Sequence, residues 1–223
     1  MDILLQPYIV AFVDLLGFTA MVKHDCENSH DQQKYINALY DIHTKTKELK
    51  NQIEGLQITQ FSDSVVLAIP YSKGGFVEFV KVVADYQFDL LSSGVLCRGG
   101  ISYGKHYSSE DFLFSHALID AYHLESKIAS TPRILVSQEL IDLIYPNNSQ
   151  VPSDLLSVEN DNMYFIKYLN AGNPEDNWSA IEKSIPKVLS SIPSIRSKQL
   201  WVIDYYNHLY PNHIVIEQSR FGG

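Results

Sequence analysis

Ala11-Phe12-Val13-Asp14-Leu15-Leu16-Gly17-Phe18-Thr19 is the stretch from which the chain reads outward. The apolar run that begins at Tyr8 is interrupted by one carboxylate, Asp14, and ends at Gly17. Such a run predicts a buried strand over residues 8–14. A charged Asp at the end of a buried strand is costly unless it is paired or bound to a cation. Gly17, Phe18 and Thr19 then make a turn that opens a helical stretch, and the free N–H groups of a helix start favour anions. A carboxylate beside an anion-binding turn suits a metal that bridges protein to phosphate.

The 223 residues predict one domain with an extension, long enough to bury a sizeable core. A formal net charge of -9 argues against a nucleic-acid surface, which needs a basic face. It leaves a nucleotide ligand open, because a metal supplies positive charge locally. Cys26 and Cys97 sit in no metal-ligand spacing and read as reduced thiols. No signal peptide and no apolar run of membrane-spanning length is visible. The expectation is a cytoplasmic protein with no membrane partner.

From about Gly17 to Asn51 the pattern predicts two helices broken near Asn28-Ser29-His30-Asp31. The second carries Tyr35, Ile36, Leu39, Ile42 and Leu49 at helical spacing. Leu56, Ile58 and Gln60 alternate up to Phe61, Ser62-Asp63-Ser64 reads as a tight turn, and Val65 to Ile69 is fully apolar. These form a β-hairpin with Asp63 at its tip. Phe76, Phe79, Val80, Val83 and Leu90 mark one face of the next helix, opened by Gly74-Gly75 and stopped by Ser92-Ser93-Gly94. A strand from Val95 to Tyr103 contains Arg98-Gly99-Gly100. The order strand, helix, strand, strand, helix, strand is that of a ferredoxin-like, split βαβ sheet. The first and third strands are then central neighbours, and Asp14 meets the Asp63 hairpin at one sheet edge. Beyond lie a short strand at Phe112–Phe114, a helix over residues 115–129 with Leu118, Ala121, Leu124 and Ile128 inward, and a strand at Ile134–Val136. A short helix ending near Tyr145-Pro146, a loop from Asn147 to Ser153 and a strand from Met163 to Tyr168 follow. Asn170 to Asp176 reads as a linker, followed by two helical segments split near Pro193. The fold class is α+β, with a domain over residues 1–170 and a C-terminal helical extension over 171–223.

Asp14 with Asp63 is the strongest constellation. Two carboxylates converging there repel unless a divalent cation lies between them. The competing reading is a capping Asp and an unrelated turn Asp. Arg98 lies in a strand beside two glycines, which let something approach the backbone closely. An Arg there suits a triphosphate clamp, and its alternative is an ion pair with Asp14 or Glu125. His123 and Glu125 share the helix over 115–129; a His there could stabilise a leaving phosphate, though one partly buried and hydrogen-bonded is the commoner case. His106, His116 and Lys105 show no zinc spacing.

These residues together resemble the class III nucleotidyl cyclases. The family motif Phe-x-Asp-Ile-x-Gly-Phe-Thr is met by Phe12, Asp14, Gly17, Phe18 and Thr19, with Leu15 for Ile, a change without consequence where the backbone carbonyl binds. The family's second metal carboxylate matches Asp63 in Phe61-Ser62-Asp63-Ser64. Its Arg-x-Gly-Ile-x-x-Gly matches Arg98-Gly99-Gly100-Ile101-Ser102-Tyr103-Gly104. Its Ala-x-x-Leu-Glu helix matches Ala121, Leu124 and Glu125. The departures lie in the base pocket. A base-reading Lys of adenylate cyclases falls on Thr59, an adenine-reading Asp falls near Phe112, and the transition-state Asn and Arg fall on Ile119 and His123. This combination, with Lys198-Gln199-Leu200-Trp201 and Tyr205-Tyr206-Asn207, looks most like the pyrimidine cyclases of Pycsar antiphage systems.

The resemblance implies conversion of UTP or CTP to cyclic UMP or cyclic CMP with release of pyrophosphate. It implies a homodimer with sites at its interface, and a separate effector that responds to the cyclic product. Two divalent ions, Mn²⁺ or Mg²⁺, are implied at Asp14, Asp63 and the Leu15 carbonyl. Phe12, Gly17, Phe18, Thr19, Thr59 and Arg98 are the implied nucleotide contacts, with Asp14, Asp63 and Arg98 as the catalytic set. A purine cyclase and an inactive cyclase-like dimerising or sensing module stay open as alternatives.

Overall fold

The structure is a computed structural model that describes residues 3–48, 53–146, 151–169 and 173–213. Its centre is β1 (Gln6–Leu15), an antiparallel neighbour of both β3 (Ser64–Pro70) and β4 (Cys97–Ser108). Ile9 to Val13 are buried on both faces of the sheet, which is why the run is apolar without alternation. β2 (Gln57–Phe61) joins β3 through the turn Ser62-Asp63. The order β2-β3-β1-β4 is the ferredoxin-like order expected from the sequence. The sheet continues through β6 (Ile134–Val136), parallel to β4, then β8 (Tyr164–Ile166) and β7 (Leu156–Val158), while β5 (Leu113–Ser115) pairs with the far end of β4. β7 has no counterpart in the sequence reading, since three residues carry no readable period.

On one face lie α1 (Phe18–Glu27), α2 (Tyr35–Glu48), α3 (Gly75–Ser92) and α5 (Gln138–Ile144). Phe76, Phe79, Val80, Val83 and Leu90 of α3 are fully buried against Ile9, Ala11, Val13, Val65 and Leu67. Each buried Phe contributes roughly 1.5–3 kcal/mol. The break between α1 and α2 has a specific cause. The buried Asp25 carboxylate accepts from the backbone N–H of Lys34 at 3.0 Å, Tyr35 at 2.8 Å and Ile36 at 2.7 Å, so it caps α2 from the end of α1. Leu49, read as part of the α2 face, lies outside the described residues.

The opposite face is thinner. Val10, Phe12, Val66 and Ala68 meet α4 (His116–His123) through Ala117 and Ala121. Here the sequence reading needs correction. The helix over 115–129 is α-helical only to His123, and Leu124–Ile128 form a π-helical turn. Ala117, Ala121, Glu125 and Ala129 are the inward set, whereas Leu118 and Leu124 are half-buried and Ile128 is exposed. An α-helix advances 3.6 residues per turn, so positions four apart drift around it. The wider π turn takes up that drift and carries the inward line on through Glu125 to Ala129. Close approach explains the glycines opposite. A Cβ on Gly100 would overlap the Ala121 carbonyl oxygen and lie 2.6 Å from Leu124 Cβ, and one on Gly99 would overlap the Phe12 carbonyl oxygen. What approaches the backbone at Gly99-Gly100 is this helix and β1.

α6 (Pro174–Ser184) and α7 (Pro193–Leu209) follow, with Pro193 in the first turn of α7. They share a second core with Leu91, Leu135 and Phe165, filled by Ile181, Val202, Ile203 and Tyr206. Arg133, buried beside β6, pairs with Glu159 at 2.7 Å and with Asp161, and Trp201 Nε1 donates to Glu159 at 3.0 Å, tying α7 to the β7–β8 turn. The boundary expected between 170 and 171, part of the linker over 170–176 and part of the loop over 147–153 fall outside the described residues. Cys26 and Cys97 are both free thiols. Among the described residues no helix is long and apolar enough to cross a membrane.

Gly100→Ala is expected to destabilise the fold by about 1–3 kcal/mol, because the added methyl meets a helix backbone that cannot retreat. Urea denaturation measures this, and an unchanged midpoint would refute the close-packing account.

Candidate active site

Strand register assembles the site. Asp14 stands opposite Ser64 on β3 and opposite Arg98 on β4, so Asp14 and Arg98 are cross-strand neighbours on one face. That face is the one covered by α4, because Phe12 and Val10, two and four residues earlier, both meet that helix. Asp63 arrives from the hairpin. The Leu15 N–H donates to the Asp63 carbonyl at 2.8 Å, which fastens the hairpin tip to the end of β1. Ser62 beside it has φ 56°, a left-handed conformation that a residue with a side chain keeps only where its surroundings hold it.

Arg98 lies between acidic partners. Its Nε is 3.4 Å from Asp14 Oδ2, its Nη2 is 2.6 Å from Glu125 Oε1, and its Nη1 donates to the Ala129 carbonyl at 3.1 Å. The Glu125 contact is close but poorly aligned, so Oε1 has no donor in hydrogen-bond geometry. Both partners that the sequence allowed as alternatives to a phosphate are therefore engaged at once.

Burial pushes the Glu125 carboxyl up to about 7; Arg98 opposes this, while Asp14 and Asp63 add to it. Burial also raises Asp14, against the lowering effect of Arg98, with the Asp63 charge adding to the rise. The cluster is thus short of positive charge.

The remaining sequence-selected residues take varied places. Gly17 has φ 82° and caps α1 without a side-chain bond, a conformation that glycine adopts freely. Thr19 is exposed in the first turn, and Phe18 packs into the main core. Phe12 is buried, its ring edge-on to Tyr122 at 5.5 Å, and Leu15 is buried beside Cys97. Thr59 stands opposite Val66, and hence on the Phe12 side of the sheet. It borders a polar cavity of roughly 450 Å³ with Gln57, Lys47, Ser109 and Glu110. Phe112 is exposed between β4 and β5. Ile119 and His123 lie one turn apart on the exposed side of α4. Glu125 is the residue to which the sequence reading gave no place in the site, although the Ala-x-x-Leu-Glu pattern contains it.

A divalent cation fits this donor set. Asp14 and Asp63 offer hard carboxylate oxygens, and the rise at Asp14 caused by Asp63 is the repulsion that a cation between them would remove. Among the described residues no group of three or more His, Cys, Asp or Glu is arranged around one metal position. A cation here would complete its shell from the backbone, from water or from phosphate, as Mg²⁺ commonly does.

Comparison with solved structures shows the same fold. The chain is similar to the adenylyl cyclase CyaB from P. aeruginosa, with TM-score 0.55 and 16% identity, covering 75% of this chain and 96% of that one. Adenylate cyclases from Trypanosoma brucei in their monomeric state give TM-score 0.53 and 15% identity over 75% and 92%. The catalytic core of a rhodopsin-guanylyl cyclase with converted specificity, in complex with ATPαS, gives 0.51 and 14% over 73% and 96%. The fold is that of a class III cyclase catalytic domain. No family model matches the chain, and no curated protein matches it in sequence.

The raised Glu125 carboxyl predicts a pH dependence. Its proton is retained on folding, so this stabilisation is complete at low pH and is lost as pH climbs from the ordinary carboxylate range through about 7. Glu125→Gln cannot ionise and should flatten that fall. Urea denaturation at pH 5 and pH 8 without added metal measures it, and identical slopes for both proteins would contradict the assignment.

Proposed function

We propose that the chain is a pyrimidine nucleotide cyclase, converting UTP or CTP to the 3′,5′-cyclic monophosphate and pyrophosphate, with the cyclic product signalling to a separate effector in antiphage defence. The observation that carries the cyclase reading is the meeting of Asp14, Asp63 and Arg98 at the end of the central strand of a class III cyclase fold. A half-buried like-charged pair has no structural need to persist, and a phosphate-bridging cation gives it one.

Asp14 and Asp63, with the Leu15 carbonyl, would hold the divalent ions, Mn²⁺ or Mg²⁺, that class III cyclases generally use. When bound, these supply Lewis-acid charge to the ribose 3′-hydroxyl and the triphosphate. The turn Gly17 to Thr19 presents backbone N–H groups to phosphate oxygens. Arg98 adds a guanidinium on the same side. Phe18 seats the start of α1 in the main core, and Phe12 is buried on the Asp14 face under α4. In the reaction the 3′-oxygen forms a bond to the α-phosphorus, the bond from that phosphorus to the bridging oxygen breaks in line, and the 3′-hydroxyl proton is lost. Catalysis is chiefly positioning and charge stabilisation.

Support for a pyrimidine comes from the base side. Thr59 stands where adenylate cyclases carry a base-reading Lys, and exposed Phe112 lies where they carry an Asp. A homodimer is supported by the exposed apolar side chains of Phe112, Phe114, Ile119, Tyr122 and Ile128 around α4, on the side of the sheet with the thinner cover. The second reading is a purine cyclase, favoured by neighbours that are adenylyl and guanylyl cyclases by name.

Purified protein with Mn²⁺ and each of the four ribonucleoside triphosphates, with products identified by mass, is the test. Cyclic UMP or cyclic CMP is expected. Cyclisation of ATP or GTP with UTP and CTP untouched replaces the first reading by the second, and no product from any of the four favours an inactive module. Asp14→Ala and Asp63→Ala should each lower turnover at least about a hundred-fold, since each removes several kcal/mol of charge stabilisation. Full turnover in either would refute the metal assignment.

A further inference from the structure

We propose that Glu125 is a positioning residue that keeps Arg98 in the site while Arg98 exchanges Asp14 for the incoming triphosphate, so that Arg98 masks Asp14 until cation and nucleotide arrive. This rests on the reading of Asp14 and Asp63 as cation ligands.

The contacts of Arg98 are unequal. Asp14 is the distant partner, at 3.4 Å and partly open to solvent. Glu125 is the near one, at 2.6 Å and almost wholly enclosed. The Ala129 carbonyl at 3.1 Å belongs to the same turn of chain as Glu125. Withdrawal of Asp14 therefore leaves the guanidinium its two nearer partners, and withdrawal of Glu125 leaves it the Ala129 carbonyl and Asp14 as its one carboxylate. The anchor itself is rigid. The helix bearing Glu125 lies so close to Gly100 that a single Cβ would overlap its backbone, and Ala117, Ala121 and Ala129 beside Glu125 are fully buried. The poor alignment of the Glu125 contact matters as well. An electrostatic contact without a directional hydrogen bond lets Arg98 pivot on Glu125 with little loss. A cation and Arg98 compete for one carboxylate, because Asp14 Oδ2 is the atom that Arg98 reaches. Triphosphate oxygens offer Arg98 a replacement partner when that carboxylate is taken.

Calorimetric titration of Mn²⁺ into nucleotide-free protein tests this with Glu125→Gln, Arg98→Ala and the double variant. With Glu125→Gln, Arg98 should fall back on Asp14 and weaken Mn²⁺ binding about tenfold. Arg98→Ala should unmask Asp14 and tighten it several-fold. In the Arg98→Ala background, Glu125→Gln should change little, since Glu125 then has no guanidinium to hold. The KM for the triphosphate should rise in Glu125→Gln more than kcat falls. Equal weakening by Glu125→Gln with Arg or Ala at position 98 overturns the inference, because Glu125 would then act by its own charge. Wild-type protein that binds no Mn²⁺ overturns the metal reading and the inference with it. Thermal melts identify any variant that fails to fold. Glu125→Asp then takes the place of Glu125→Gln, with the same pattern expected from the shortened anchor and the same equal weakening overturning it.

Discussion

Two backbone hydrogen bonds at the end of β1 hold the rest of this structure in register. Leu15 donates to Asp63 across one side and Leu16 donates to Leu96 across the other, both at 2.8 Å. They fix where the central strand stops, and hence which residues of three separate strands and turns stand level with Asp14. A slip of one residue would turn Asp14 to the opposite face, under α1 to α3, where neither Arg98 nor Glu125 could meet it. The apolar character of β1 and the position of its one carboxylate are therefore a single requirement. Burial on both faces sets the register, and the register delivers the charge.

That charge is unbalanced. Asp14 and Glu125 share one guanidinium, the Asp63 charge adds to the crowding, and burial raises the carboxyls of Asp14 and Glu125. The protein lowers the imbalance by laying Arg98 across the gap between Glu125 and Asp14, and the raised Glu125 carboxyl takes up a proton more readily than an ordinary one. Both measures are reversible, whereas an apolar replacement would not be. A site relieved by a mobile proton and a pivoting arginine rests in a state that added positive charge can displace. A purely structural ion pair would lack this property. The Arg133 pairs with Glu159 and Asp161 make the contrast: their carboxylates are much more exposed, and the Trp201 indole donates to one of them.

Much of this was legible in the letters. The run ending in Asp14, the tight turn at Asp63 and the Arg98-Gly99-Gly100 strand each carry a local pattern. The ferredoxin-like order follows from the sequence of predicted elements alone, and with it the meeting of the first two. The glycines were read correctly as sites of close approach, but identifying α4 as what approaches requires the packing. Apart from its place in a motif, Glu125 enters the sequence reading only as an alternative ion-pair partner of Arg98, because an ordinary helical period places Leu124 and Ile128 inward. The wider turn that carries the inward line through Glu125 to Ala129 is a tertiary effect, and it goes with the close approach of the helix to Gly100. β7 escaped because Leu156-Ser157-Val158 is too short to show alternation. The base pocket is the least legible part, since Thr59 and Phe112 are informative only as departures from other proteins.

The π turn over Leu124–Ile128 also has a consequence for how such a chain can change its length. Because it spends more residues per turn than an α-helix, it behaves as an absorbed insertion. Loss of Leu124, the one residue of the turn ahead of Glu125, would let the helix relax to ordinary pitch with its backbone hydrogen bonds satisfied. Helix content and solubility would hardly register the loss. The residues beyond would rotate around the axis, however, and a carboxylate that now faces Arg98 would face water. In this segment the spacing of the letters is itself a functional trait, and a comparison of relatives that aligns letters while allowing gaps here would count as neutral the one change that disconnects the arginine.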